Sequence, residues 1–272
     1  MPPMSRRSVV IAGAGDVGGR LAALCAGRGD YVIALRRREQ PPSAGIRGLR
    51  VDLAGGEGLA QLPRRPDAVV FCAAPDARDE PAYRRLFVDG LRRVLDAVDT
   101  PRVIFVSSTA VYGEDAGEWI DELTPAMPPA FNGRVLLDAE HELGAHPGGI
   151  VLRLSGLYGP GRTMLLRRAR EATIARPHWS NRVHVDDAAA ALAHLLELRD
   201  SATCYLGSDD RPTQEPEILN WLRAREGLPP LSVADAAESG RRVRNRRLRD
   251  TGWAPQHSDF RSGYLSLSLP GV

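Results

Sequence analysis

The stretch Val9–Arg38 reads VVIAGAGDVGGRLAALCAGRGDYVIALRRR, and its reading decides the fold. Val9, Val10 and Ile11 form a short apolar run that suits a strand buried on both faces. Gly13, Gly15 and Gly18 follow as G-x-G-x-x-G, with Asp16 and Val17 inside the motif, and open a helix carrying Leu21, Leu24 and Cys25 on one side. Each glycine has its own task. Gly13 permits a tight turn, Gly15 lets a pyrophosphate approach the backbone, and Gly18 lets the helix lie close on the strand. The helix start offers free N–H groups and the positive end of its dipole to phosphates. Gly29 ends the helix, and Tyr31–Leu35 makes the next strand. Strand, glycine turn, helix and strand in this order predict a dinucleotide site.

The end of the second strand selects the cofactor. An NAD site usually keeps an acid there to accept the ribose hydroxyl protons. Here Arg36 holds that position, with Arg37 and Arg38 behind it. A guanidinium accepts no proton from a ribose, but it clamps a 2′-phosphate through two parallel hydrogen bonds. Arg36 and Arg37 therefore predict NADP, with NAD as the alternative.

Outward from this unit, strands and helices alternate. Leu49–Leu53 reads as a third strand containing Asp52, after a loop at Gln40–Gly45, and Leu59–Leu62 as a helical turn closed by Pro63. Ala68–Ala73 is a buried strand ending in the small residues Ala73 and Ala74, against which a cofactor could lie. Tyr83–Val98 has helical spacing, Val103–Val106 is a strand running into Ser107 and Ser108, Arg134–Leu143 a helix and Gly149–Leu154 a strand. Ser155–Arg162 is a glycine-rich loop. Beyond it come a short strand at Val183–Val185, an alanine-rich helix at Asp186–Leu198, a strand at Cys204–Leu206 and a helix at Glu217–Arg225. The pattern predicts the α/β class with a doubly wound parallel sheet of Rossmann type. Residues 1–155 form the dinucleotide-binding domain, its sheet completed by about 183–206. Residues 156–182 and 207–272 form a small C-terminal substrate lobe of the same compact unit.

Composition narrows the partners. A net charge of +2 over 272 residues argues against nucleic acid, although Arg241–Arg249 packs six arginines into RRVRNRRLR. That run reads as a solvated face with one ligand contact. No stretch reaches ~18 uninterrupted apolar residues, and MPPMSRRSVV lacks the apolar region of a signal peptide, so a cytoplasmic protein is expected. Cys25, Cys72 and Cys204 are far apart and read as reduced core residues, with no metal-ligand spacing and no metal expected. The chain contains no lysine; all 36 basic residues are arginine. No step can use a lysine as Schiff base, proton relay or ribose anchor.

SSTAVYG at 107–113, after a buried strand, resembles the extended short-chain dehydrogenase/reductase family, which includes nucleotide-sugar epimerases and dehydratases. AGAGDVG at the front, VDL at 51–53, CAA at 72–74, LRLSGLYGPGR at 152–162, VHVDD at 183–187 and GWAP at 252–255 continue the likeness across the chain. The resemblance implies that Ser108 polarises the reacting oxygen. It also implies cofactor contacts at Asp52, Leu53, Ala73, Ala74 and Ser107. Family members carry Tyr-x-x-x-Lys on the following helix, where the Tyr moves a proton and the Lys lowers its pKa. Here Asn132 and Leu136 fall on those two positions, and Leu136 can do neither job. The likeness is therefore to the atypical subgroup without the pair. Tyr112 is a candidate substitute acid. Asn132, Arg134, Ser155 and His184 are candidate substrate contacts, with a satisfied structural histidine the alternative for His184.

These readings converge on an NADP-dependent oxidoreductase or epimerase-like enzyme for a small polar, anionic or nucleotide-sugar-like substrate. A homodimer is allowed. The alternative is a catalytically silent NADP(H)-binding sensor.

Overall fold

The structure is a computed structural model and describes residues 6–38 and 43–267. The first five residues and positions 40–42 of the expected Gln40–Gly45 loop lie outside the described residues. In chain order the elements are β1 Ser8–Ala12, α1 Asp16–Gly27, β2 Tyr31–Arg36, β3 Ile46–Arg50, β4 Ala68–Phe71, α2 Glu80–Tyr83, α3 Leu91–Ala97, β5 Val103–Ser108, β6 Ala116–Ile120, α4 Phe131–Gly144 and β7 Gly149–Leu154. Then follow β8 Gly156–Tyr158, α5 Met164–Glu171, β9 Ile174–Ala175, β10 His178–Ser180, β11 Arg182–His184, α6 Val185–Leu195 and β12 Cys204–Gly207. The last are β13 Thr213–Gln214, α7 Glu215–Arg225, β14 Ser232–Val233, β15 Ser239–Val243, α8 Arg246–Asp250 and α9 Phe260–Leu265.

Seven strands form one sheet in the order β12-β7-β5-β4-β1-β2-β3. From β3 through β5 every neighbouring pair is parallel. Val9, Val10 and Ile11 of β1, and Val69, Val70 and Phe71 of β4, are wholly buried, as strands covered on both faces must be. The strand order reverses between β1 and β4. In open α/β sheets that switch point, at the carboxyl ends of the strands, is where ligands bind. Gly13 leaves β1 and Cys72–Ala73 leaves β4 at this place.

Contacts divide the chain into two compact units. The first comprises Met1–Tyr112, Ala126–Arg153 and Ala189–Tyr205; the second comprises Gly113–Pro125, Leu154–Ala188 and Leu206–Val272. The second unit has its own core, including Tyr158, Leu166, Leu219, Leu222, Phe260 and Tyr264. Its largest sheet runs β13-β10-β15-β6.

Several elements depart from the sequence expectation. The third strand is Ile46–Arg50, not Leu49–Leu53, because Asp52 closes a turn: its Oδ1 accepts from Ala54 N at 3.0 Å and its carbonyl from Gly56 N at 2.7 Å. The helix expected from Tyr83 begins at Glu80, where Asp79 caps it by accepting from Ala82 N at 2.8 Å, and it widens into a π-helical stretch over Arg84–Gly90. The strand near Val183–Val185 does not complete the main sheet. As β11 it pairs in parallel with β8, inside the segment expected to be a loop, and β12 takes the place beside β7. The helix start at Asp16 and its end do follow expectation, with Gly29 adopting φ +92° just beyond it.

Candidate functional site

The glycine turn has the geometry its motif demands. Gly13 adopts φ +100°, and a Cβ there would lie 2.4 Å from the Ala73 backbone. A Cβ on Gly18 would lie 2.4 Å from the Gly13 carbonyl oxygen and 2.8 Å from Cys72 Sγ. Neither position tolerates a side chain. Gly15 is the opposite case, since a Cβ there would meet nothing within 4 Å. Close packing behind and open space in front is the shape a pyrophosphate needs at a helix start. Val17 is buried in the helix–sheet contact, and Asp16 at the first helical position accepts from Arg20 Nε at 3.0 Å. Burial pushes the Cys72 thiol beneath the turn up to about 12, so it is no nucleophile at neutral pH.

Arg36 ends β2 beside this turn. Its Nη2 donates to the Gly15 carbonyl at 3.3 Å, which lays the guanidinium along the phosphate-facing edge. Its Nε is shut off from solvent and has no hydrogen-bond partner among the described residues. It also borders a hollow of about 350 Å³ lined by Gly19, Ala22, Ala34, Ser43 and Gly48. Arg37 is engaged differently, through its two terminal guanidinium nitrogens with Asp76 on the surface. That exposed pair is worth little and leaves Arg37 to be recruited cheaply. Asp52 is occupied by its own turn, and Leu53 is buried. Ala73 is half-buried and lies directly against Gly13, and Ala74 is exposed.

Beyond β5 the two serines part. Alternation along a strand sends neighbouring side chains to opposite faces. Ser107 is buried and its hydroxyl donates to Glu140 Oε1 at 2.5 Å. Glu140, on α4, is gripped by Arg153 of β7, with Nη2 2.5 Å from Oε2 and Nε 3.1 Å from Oε1. Arg153 Nη1 also donates to the Tyr112 hydroxyl at 2.8 Å, and Tyr112 is fully buried. Ser107 and Tyr112 therefore belong to an interior polar network. Ser108 faces the other way, half-buried, and its Oγ accepts from Ala110 N at 3.1 Å as the cap of a short turn at Thr109–Val111. One of its two lone pairs is so used, and the hydroxyl proton is left to offer to a substrate oxygen.

Helix α4 starts against that turn. A Cβ on Gly133 would lie 2.2 Å from the Ala110 carbonyl oxygen, so the helix start sits as close as glycine allows. This puts Asn132, half-buried in the first helical turn, next to the segment carrying Ser108. Leu136, expected from the sequence to occupy the family lysine's position, is buried one turn on. Arg134 is exposed and donates to the Pro129 carbonyl at 3.0 Å.

In the second unit, Ser155 is buried and its Oγ donates to Ser208 Oγ at 3.1 Å. His184 is also buried, with its Nδ1 accepting from Asp186 N at 3.3 Å. It lies in a cluster with His257 and Asp187, whose ligand-type atoms fall within 4.8 Å of one another. Both Asp187 oxygens already accept backbone N–H groups, from Gln256 at 2.7 Å and His257 at 3.0 Å. The cluster thus ties the C-terminal segment to the start of α6, the work of a structural knot. The arginine run disperses: Arg242 stacks on Trp119 and Trp179, Arg244 on Trp119, and Arg249 faces Asp210. Sequence reasoning passed over Glu140 and Arg153. Their signal was available, since each puts a charge where helical or strand periodicity calls for an apolar residue.

The profile of the NAD dependent epimerase/dehydratase family matches residues 9–205. A protein from Methylobacillus flagellatus, named for NAD-dependent epimerases/dehydratases, has a solved structure with a TM-score of 0.85 and 36% identity, over 97% of this chain and 98% of that one. MoeE5, solved in complex with UDP-glucose and NAD, shares the fold at a TM-score of 0.79 and 24% identity, over 95% and 96% of the two chains. Protein YeeZ of Escherichia coli K12 is 34% identical over 163 residues, 56% of this chain and 58% of YeeZ. The alignment to this curated relative thus spans little more than half its length. Among the described residues no helix is long and apolar enough to cross a membrane. The glycine turn at the switch point, the seven-stranded sheet and the profile match agree, and the chain belongs to the NAD dependent epimerase/dehydratase family.

Proposed function

We propose that this family member is an NADP-dependent oxidoreductase or epimerase-like enzyme acting on a small polar, anionic substrate. The observation that carries the cofactor choice is Arg36: a cation at the end of β2, beside Gly15, with a buried Nε lacking a partner. An NAD site would place a hydrogen-bond acceptor there. Gly13, Gly15 and Gly18 would hold the pyrophosphate, Ala73 and Ala74 would line the approach, and Arg36, joined by Arg37, would clamp the 2′-phosphate. When bound, the nicotinamide supplies the hydride donor or acceptor. Ser108 would orient the substrate oxygen by donating its hydroxyl proton, and Asn132 and Arg134 would border the same place. Tyr112 is not proposed as the acid, because its hydroxyl is committed to Arg153 inside the core. The shared fold with MoeE5, which holds UDP-glucose and NAD, supports nucleotide-sugar-like compounds as the first substrates to try.

A second reading, cofactor binding without turnover, is favoured by one observation. Leu136, expected from the sequence to occupy the family lysine's position, is buried, and the chain contains no lysine.

Cofactor titration by nicotinamide fluorescence tests the first reading. NADPH is expected to bind about 10–100-fold more tightly than NADH, the scale of one hydrogen bond to a charged group. Arg36→Asp should narrow or reverse the gap, and Gly15→Val should abolish binding of both while the protein still folds. Equal affinities in the wild-type protein would falsify the assignment of NADP.

A further inference from the structure

We infer that Arg182, with Tyr264 beside it, forms a binding site in the second unit for a small oxyanion, the carboxylate or phosphate group of a ligand. Arg182 opens β11, and its backbone is fixed from two sides. Its carbonyl accepts from Asp209 N at 2.6 Å and from Ser208 Oγ at 3.2 Å, while Gly156 of β8 is its partner in the strand pair. The side chain lies across that glycine, with Nη1 3.6 Å from where a Cβ would stand. Gly156 is exposed and leaves that flank of the guanidinium uncovered.

The guanidinium is not used by the protein. Its Nε is closed off from solvent without a hydrogen-bond partner, and no carboxylate forms an ion pair with it among the described residues. The ionisable groups acting on it are Tyr264, Asp209, Glu215 and Tyr158. Three of these are spoken for. Tyr158 Oη donates to the Asp259 carbonyl at 3.1 Å, Glu215 is held by Arg168 at 2.8 Å, and Asp209 accepts from Arg211 N at 3.3 Å. The fourth is Tyr264, wholly buried on α9, which packs against β11; its hydroxyl also has no partner. Burial pushes the Asp209 carboxyl up to about 8, which weakens it as a counter-charge to Arg182. Burial also lowers the Arg182 pKa, the mark of a charge short of compensation.

A half-buried cation with a closed-off Nε and no ion-pair partner, and a buried hydroxyl without a partner, are each costly, and both can donate. An oxyanion satisfies the two at once: it accepts both hydrogen bonds and supplies the missing charge, and the guanidinium fork suits its geometry. A water would take the hydrogen bonds but leave the charge uncompensated. None of these residues belongs to the glycine turn, so the site stands whether or not the cofactor reading does.

The test uses the full chain without cofactor, with inorganic phosphate and acetate as probes, followed by calorimetry and ³¹P line width. Wild type is expected to bind at least one probe saturably. Arg182→Gln should weaken binding at least ~10-fold, and Tyr264→Phe about 3–10-fold. A stronger response to phosphate or to acetate assigns the source of the oxyanion. Undiminished binding in Arg182→Gln, loss in Arg36→Asp alone, or no saturable binding of either probe to wild type would each overturn the site. If Arg182→Gln does not fold, Tyr264→Phe decides, and an unchanged affinity in it rejects the assignment.

Discussion

At the scale of single residues, burial and charge decide what a side chain can do. Asp209 is 2% exposed, and burial holds its carboxyl up at about 8, while in the unfolded chain it would titrate near ~3.9. The folded state therefore keeps a proton that the unfolded state releases. Stability contributed by this group is full below ~4, falls as pH rises between ~4 and ~8, and changes no further above that window. Asp209→Asn retains an acceptor oxygen for Arg211 N and removes the titration. Its stability relative to wild type should grow from pH 4 to pH 8 by on the order of 2–5 kcal/mol, measured by urea unfolding across that range. A difference that stays flat with pH would show that Asp209 is ionised in the folded protein. Arg36 and Asp209 also differ in legibility. Arg36 stands out in the sequence because the strand-end position asks for an acid and receives a base. Asp209 and Arg182 give no such sign, since their burial is created by segments far along the chain.

At the scale of elements, the Glu140–Arg153 pair joins α4 to β7 and, through Ser107, to the end of β5. Fixing Ser107 inward is what turns Ser108 outward, so this interior network positions a candidate site residue that it never touches. Removing one partner of a buried ion pair strands the other charge. Arg153→Met should destabilise the protein by about 3–5 kcal/mol, and adding Glu140→Leu should recover a large part of that loss. Urea unfolding of the two singles and the double closes the cycle; additive losses would mean that the pair is not coupled. The long apolar strands of the main sheet were visible from sequence because burial on both faces leaves an uninterrupted hydrophobic run. Strands β6 and β15 were not. Their sequences AGEWI and SGRRV mix glycine with charge, and Arg242 stacks on Trp119 and Trp179, contacts across more than sixty residues of separation that no local pattern records.

At the scale of the whole molecule, the fold and the family were legible because glycine spacing and strand-end motifs are local signals, whereas turnover depends on what replaces a missing pair. If Asn132 and buried Leu136 hold the two family positions, the usual proton relay is absent, and arginine is too firmly protonated to act in lysine's place. If the protein turns substrate over, Ser108 must hold the reacting oxygen and the proton must come from water or from the substrate itself. Ser108→Ala should then lower kcat/KM about 10²-fold, comparable to the loss of one donor to a developing oxyanion, while NADPH affinity stays unchanged. Asn132→Phe, which fills the space left by the family tyrosine, should raise KM for substrate more than it weakens cofactor binding. The measurement is NADPH oxidation across a panel of carbonyl compounds and nucleotide sugars, run in parallel with NADPH titration. Turnover that survives Ser108→Ala intact removes Ser108 from the chemistry. Tight NADPH binding with no turnover on any member of the panel favours the sensor, because binding would then be the activity that remains.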